Sequence, residues 1–221
     1  MIRHAETEDN KNKVVSGSAS TTILTEEGRR QAIDMQLLLT QMEPPINRVV
    51  TSEMHRTKDT AKLLCDCDSM RHLPHSQDKG INERNYGVAE GMSDKDREKL
   101  KAANGGTIAG QESKDALRAR TVYAIVKNLQ KDGVPLFVTH GGNIKRVLEH
   151  TLGKNTAERE LVTNCTLYEF VAPQEKGEGW KVNVLELDDN KEIKRHNFGE
   201  RTSKVSRLVS GRNEREIGNI L

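Results

Sequence analysis

Four short segments hold the polar groups able to do chemistry: Arg3-His4, Ser52-Glu53-Met54-His55-Arg56-Thr57, Ile81-Asn82-Glu83-Arg84-Asn85-Tyr86-Gly87 and Thr139-His140-Gly141-Gly142. A phosphoryl group presents several anionic oxygens, and the planar donor forks of Arg3 and Arg56 match them. His4 and His140 add further donors. One histidine, neutral on its attacking nitrogen, can take the phosphoryl group. Fixing that tautomer needs an acceptor on the other ring nitrogen, often a backbone carbonyl. The leaving alcohol needs a proton, and Glu83 is the natural general acid; as a carboxylate it can then activate water. Gly141 and Gly142 let backbone come close to a ligand. The cationic side chains supply the electrostatic stabilisation, so the expected chemistry needs no metal and no cofactor. The remaining histidines, His55, His72, His75, His150 and His196, have no metal-ligand spacing.

Such groups must be held by a scaffold, and the second and fourth segments begin where strands are expected to end. In open α/β sheets that edge is where ligands bind. Asn47 to Ser52 reads as a short strand delivering Ser52. Val134 to Thr139 is a continuous apolar run, the pattern of a buried parallel strand. A helix is expected after the Thr25 N-cap, with Ile33, Leu37 and Leu38 at helical spacing. Others are expected over Arg56–Leu64, Ser93–Ala103, Glu112–Gln130 (buried stripe Leu117, Val122, Ile125, Val126, Leu129) and Asn143–Leu152. The stretch from Asp66 to Gly80 reads as loop. Leu167 to Val171 and Trp180 to Leu185 alternate as a closing hairpin. Strand and helix in alternation argue for an α/β fold, a three-layer α/β/α sandwich around a mostly parallel sheet. The expected organisation is one catalytic domain over 1–190. The charged tail over 191–221 reads as mobile or partly helical, with an interaction arm as the sharper alternative.

Composition narrows the partners. A net charge of +2 on 221 residues gives no case for nucleic acid. No apolar run approaches the roughly 18 residues needed to span a bilayer, and a signal-peptide pattern is missing, so no membrane partner is expected. Three cysteines, Cys65, Cys67 and Cys165, build no disulfide framework and fit reduced thiols in a cytoplasmic protein.

The ordered motifs resemble the histidine phosphatase superfamily, whose founding branch is the cofactor-dependent phosphoglycerate mutases. The family's Arg-His-Gly-Glu-Thr opening is met by Arg3-His4-Ala5-Glu6-Thr7, followed by Asn10 and Ser16-Gly17. Its Leu-Thr-x-x-Gly-x-x-Gln-Ala is met by Leu24 to Ala32, and its Ser-x-x-x-Arg-x-x-x-Thr-Ala by Ser52, Arg56, Thr60 and Ala61. Its Asn-Glu-Arg-x-Tyr-Gly is met by Asn82 to Gly87, and its Ser/Thr-His-Gly-Gly by Thr139 to Gly142. The turn Asn164-Cys165-Thr166 also fits. The resemblance covers most of the chain except the tail. It implies that His4 is the phosphorylated nucleophile, that Arg3, Arg56 and His140 line the phosphate pocket, and that Glu83 is the proton donor. It further implies that Asn10, Ser16 and the Gly17 backbone touch phosphate or substrate, and that Arg84 and Tyr86 match substrate-contacting positions of the mutases. Two departures stand out: Ala5 replaces a glycine, and only Met1 and Ile2 precede Arg3 where the family has a longer apolar strand.

The interval from Glu83 to His140 is much shorter than in the mutases, where a long insertion closes over the substrate. An open pocket admits water, so the phosphohistidine is expected to hydrolyse. The expected activity is a metal-independent phosphatase acting on a small phosphorylated metabolite. The alternatives are a phosphoglycerate mutase and a pocket that binds phosphorylated ligands or proteins without turnover.

Overall fold

The computed structural model describes residues 1–153, 162–173, 175 and 178–201. In chain order the elements are β1 (Ile2–Arg3), α1 (Glu8–Lys11), α2 (Glu26–Thr40), β2 (Ile46–Thr51), α3 (His55–Leu64), β3 (His75–Gln77), α4 (Asp94–Ala103), α5 (Lys114–Leu129), β4 (Val134–Thr139), α6 (Gly141–Leu152), β5 (Leu167–Val171), β6 (Trp180–Leu187) and β7 (Ile193–Arg201). They form one seven-stranded sheet in the order β3-β2-β4-β1-β5-β6-β7. The four strands from β3 to β1 run parallel, and β5, β6 and β7 continue the sheet in antiparallel pairs.

The central strands are covered on both faces, which is why β4 reads as an apolar run and β2 is buried over Val49–Thr51. Side chains alternate across the sheet. Val49, Leu136 and Val138 pack with Ala32, Leu38, Leu39, Ala61 and Leu64 of α2 and α3. Their neighbours Val50 and Phe137 pack on the other face, with Ala124 of α5 and Ile144, Val147, Leu148 and Leu152 of α6. This is the expected α/β/α sandwich.

β1 is the two-residue strand its sequence allows. It pairs with β4 at Ile2↔Val138 and Arg3↔Thr139, and with β5 at Ile2↔Leu167. Its backbone is nonetheless partnered: His4 N–H donates to Thr139 O (2.9 Å), Cys165 N–H to Arg3 O (3.1 Å) and Tyr168 N–H to Met1 O (2.7 Å). Below it lies an apolar cavity of about 290 Å3, lined among others by Met1, Val126, Phe137, Leu167 and Trp180, at the sheet end away from His4 and His140.

Several expectations are corrected by packing. Ile33 and Leu37 of α2 are exposed at 49% and 40%, while Gly28, Ala32, Leu38 and Leu39 are buried; the apolar stripe is displaced by about one helical step, 100°. On α5 the fully buried residues are Leu117, Thr121, Ala124, Val126 and Asn128, so small and polar residues replace much of the expected Val122–Leu129 stripe. α5 approaches Gly80 so closely that a Cβ there would lie 2.5 Å from that of Ala124. The stretch read as loop before Gly80 holds β3, three exposed residues pairing parallel with β2. The boundary expected at 190 also moves: Ile193–Arg201 is β7, paired antiparallel with β6, and α6 packs on it. Its alternation is hidden in the sequence among Lys194, Arg195, His196 and Asn197. Residues 202–221 of the expected tail lie outside the described residues.

Candidate active site

The parallel strands bring three of the four polar segments to their C-terminal ends. β1 delivers Arg3 and His4, β2 ends at Thr51 beside Ser52, and β4 ends at Thr139 beside His140. His4 is 3% exposed. Its Nδ1 lies 2.8 Å from Ala5 O, a carbonyl that can only accept, so the proton sits on Nδ1 and Nε2 holds the lone pair. Burial lowers the His4 pKa well below its ordinary 6.5, and the charges of Arg56 and Arg3 push it the same way. Ala5 N–H donates to Thr60 Oγ1 (3.0 Å), and Asn164 Nδ2 donates to His4 O (2.9 Å), pinning the turn on both sides of the ring.

The two rings of His4 and His140 meet edge to face, with centroids 5.2 Å apart. His140 is fully buried and its pKa is also held well down, first by burial, then by Arg56. Arg56 Nε–H donates to His140 Nδ1 (3.3 Å), which leaves Nε2–H to Ser52 Oγ (2.9 Å). Both ring nitrogens of His140 are therefore partnered by protein. Residue type alone makes this histidine a further donor to phosphate; here its ring also meets the Arg56 side chain.

Arg56, at 1% exposure, rises from the first turn of α3. Its terminal nitrogens reach three carbonyls of the 16–20 loop at longer distances, Gly17 O at 3.2 Å and Ser16 O and Ser20 O at 3.4 Å. Arg3 donates from Nη1 to Val162 O (2.7 Å), and its Nε is buried without a partner among the described residues. An orphaned guanidinium donor beside a second arginine suits an anion. Gly141 opens α6 directly after His140, with the Arg3 side chain 3.6 Å from where its Cβ would be, so the amide end of a twelve-residue helix faces the same region.

Glu83 completes the constellation. It is 8% exposed, and burial raises its carboxyl pKa above the ordinary 4.5 even though Arg84 N–H and the charges of Arg56 and Arg3 oppose the shift. Its Oε1 accepts from Arg84 N–H (2.8 Å) and sits over Gly142, where a Cβ would approach to 2.5 Å. The segment carrying it is held by Thr139 Oγ1 donating to Ile81 O and by Arg120, which donates to Gly80 O (2.9 Å), Asn82 O (2.7 Å) and Glu83 O (3.0 Å) while pairing with Glu112. A cavity of about 1020 Å3 opens beside Glu83, lined among others by Ser18, Glu53, Asn82, Asn85 and Glu112.

The remaining expected contacts are placed less directly. Asn10 closes a capping box with Thr7 and accepts from Asn164 Nδ2 (3.0 Å), linking it to the His4 backbone. The Ser16 hydroxyl donates to Asp9 Oδ2 (2.8 Å) and so turns away from Arg56, which meets its carbonyl instead. Arg84 lies over the Tyr86 ring (5.5 Å), with Arg97 near the same ring (5.8 Å), and its Nε–H donates to Glu112 O (2.7 Å). Burial pushes the Tyr86 phenol up to about 12. Glu90 and Arg120 carry no sequence signal that marks them as supports of the site, and the motif positions Thr60 and Asn164 are marked without a role; the partners these four hold lie 37 to 160 residues away in the chain.

The family model of the histidine phosphatase superfamily (branch 1) matches residues 1–187. A broad-specificity phosphatase of Saccharomyces cerevisiae is 29% identical over 181 residues, covering 77% of this chain and 78% of that protein. A probable phosphoglycerate mutase of Yersinia enterocolitica is 29% identical over 181 residues, covering 76% of this chain and 81% of that protein. Among solved structures, the α-ribazole phosphatase of Shigella flexneri superposes with a TM-score of 0.65 at 22% identity, covering 89% of this chain and 93% of that one. A family match over most of the chain agrees with motifs in order and with the fold, and the chain belongs to the histidine phosphatase superfamily, branch 1.

Proposed function

We propose that this protein is a phosphatase that hydrolyses a small phosphorylated metabolite through a phosphohistidine on His4, without a metal. The observation that carries the reading is the buried, neutral His4, protonated on Nδ1 toward Ala5 O and set among two arginines. In the first step Nε2 attacks phosphorus, the P–O bond to the alcohol breaks, and Glu83 protonates the leaving oxygen. Arg3 and Arg56 hold the equatorial oxygens, with the α6 amides at Gly141 beside them. In the second step Glu83, now a carboxylate, takes a proton from water as the water attacks phosphorus. The P–N bond breaks, inorganic phosphate leaves, and His4 returns neutral. Asn10 and the 16–20 loop, with Ser16 and Gly17, border the phosphate, and Arg84 and Tyr86 border the leaving group.

Phosphatase names among the relatives, in Saccharomyces cerevisiae and Schizosaccharomyces pombe, support hydrolysis. The cavity of about 1020 Å3 beside Glu83 brings open space to the proposed acid, which supports its exchange of protons with a leaving group and water. The free thiols Cys65, Cys67 and Cys165 are in keeping with a cytoplasmic setting. No helix among the described residues is long and apolar enough to cross a membrane.

The test is phosphate release from an aryl phosphate in the presence of a chelator, with His4→Ala as the comparison. Turnover by the wild type and at least about a thousandfold loss in the variant are expected. Equal rates in the two proteins would remove His4 from the chemistry. Bisphosphate-dependent interconversion of 2- and 3-phosphoglycerate would replace hydrolysis with mutase activity.

A further inference from the structure

One carboxylate ties the 16–20 loop to the segment that follows Glu83. The 3-10 turn Gly87–Ala89 folds Glu90 back toward Tyr86. Its Oε1 accepts from Ser18 N–H (2.9 Å), the Ser18 hydroxyl (3.3 Å) and Tyr86 N–H (3.0 Å), and its Oε2 accepts from Ala19 N–H (2.9 Å). Immediately beyond, Gly91 N–H donates to Val15 O (3.0 Å) and Val15 N–H to Met92 O (2.8 Å), so the two segments run side by side. The Glu90 side chain lies against Gly17 so closely that any Cβ at position 17 would overlap its carboxylate. On its other side the same loop meets Arg56 through the carbonyls of Ser16, Gly17 and Ser20.

The loop is thus held between an anion that takes its amides and a cation that touches its carbonyls. The carbonyl contacts to Arg56, at 3.2–3.4 Å, are longer than the usual 2.9–3.0 Å. Contacts of that length are readily exchanged for the oxygens of a dianion, whose charge-assisted bonds to a guanidinium are stronger. If the loop moved nearer, its carbonyls would compete with phosphate for the same donors.

We propose that Glu90 is a positioning residue for phosphate binding: by gripping the Ser18 and Ala19 amides it fixes the 16–20 loop where its carbonyls meet Arg56 only at 3.2–3.4 Å, contacts the guanidinium fork can exchange for the phosphoryl group. The proposal rests on the phosphate site described above. The Glu90 carboxylate takes its hydrogen bonds from Ser18, Ala19 and Tyr86 and not from His4, Glu83 or His140, so it acts through the loop. Because Arg56 holds the phosphoryl oxygens in the ground state and the transition state alike, the loss should appear in binding more than in turnover.

The experiment pairs calorimetric titration of inorganic phosphate with steady-state kinetics on an aryl phosphate, for wild type, Glu90→Gln and Glu90→Asp. Glutamine keeps the size and packing over Gly17 but turns one acceptor into a donor facing an N–H. For Glu90→Gln the phosphate Kd and KM should both rise about tenfold while kcat stays within about threefold. Glu90→Asp, which keeps the charge, should recover part of the affinity. Gly17→Ala, which displaces the carboxylate without removing it, should repeat the binding loss. Phosphate affinity within about twofold of wild type in Glu90→Gln, or a fall in kcat at unchanged KM, overturns the proposal. Phosphate binding by a wild type that releases none from the aryl ester would overturn the hydrolytic reading while the Kd comparison still decides the role of Glu90. A wild type that binds no phosphate would sink both.

Discussion

His4 and Glu83 both feel the charges of Arg56 and Arg3, and burial moves their own charges in opposite senses toward the same neutral result. Desolvation disfavours the imidazolium, and Arg56 and Arg3 add to that, so His4 stays a free base. Desolvation disfavours the carboxylate too, and here it outweighs the same two arginines, so Glu83 holds its proton to a higher pH than a free carboxyl does. A neutral base and a neutral acid are what phosphoryl transfer to nitrogen requires. Glu83→Gln should therefore lower kcat/KM for an alkyl phosphate by about 100- to 10,000-fold, and by about tenfold or less for a nitrophenyl ester whose leaving group needs no proton. The alkaline limb of the wild-type profile, set by loss of the Glu83 proton above the ordinary carboxylate range, should vanish with the substitution. A uniform loss across leaving groups would argue against general acid catalysis. Residue types are legible at this scale because the chemistry dictates them: His4, Arg56 and Glu83 can be chosen without knowing a distance. His140 can be located from sequence but its task cannot, since only the fold places Arg56 Nε on one ring nitrogen and Ser52 on the other.

Among the elements, α6 and α5 meet the acid from two sides. Gly142 lies in the first turn of α6, beneath the Glu83 carboxyl. Alanine there would favour the helix by up to about 1 kcal/mol, yet its Cβ would stand 2.5 Å from Glu83 Oε1. The acid would have to shift from its working position. Gly142→Ala should therefore melt at or above the wild-type temperature while kcat/KM for an alkyl phosphate falls about 10- to 100-fold. Full activity at raised stability would mean that Glu83 works from elsewhere. The same crowding explains why spacing alone misses part of what α5 buries: Leu117 and Val126 are buried as expected, whereas Val122, Ile125 and Leu129 are half-buried. Thr121, Ala124 and Asn128 face the 78–82 segment, where Gly80 leaves room only for small side chains, and Asn128 hydrogen-bonds Asp78 Oδ2 (2.9 Å). Apolar periodicity reports burial in oil, whereas this helix also buries a polar clamp around Glu83, and Arg120 belongs to that clamp. Strand β4 is legible because both its faces are apolar; β7 is not, because its pairing sits at a charged sheet edge.

For the molecule as a whole, the site stores opposed proton equilibria, and folding stability should register them. An unfolded histidine binds a proton near pH 6.5, but His4 and His140 resist protonation when folded, so below that pH the unfolded state holds up to two more protons at these positions. Each such proton lowers stability by about 1.4 kcal/mol per pH unit of acidification. Glu83 works in the other direction. Its folded pKa is raised above 4.5, so between that value and its folded pKa the native state holds a proton the unfolded state has released, and stability falls as pH rises. Where the windows overlap, the proton held by Glu83 offsets part of the proton uptake by the two unfolded histidines, each proton being worth about 1.4 kcal/mol per pH unit. Glu83→Gln removes the opposing proton and should steepen the slope, by up to about 1.4 kcal/mol per pH unit, with the acid-side loss of stability growing accordingly. Chemical denaturation of both proteins from pH 7 to 5 measures the difference, in which every other titrating group is common and cancels. A variant slope equal to or shallower than the wild type would mean that Glu83 is already ionised in the folded protein, and with it would go the acid that the proposed mechanism needs.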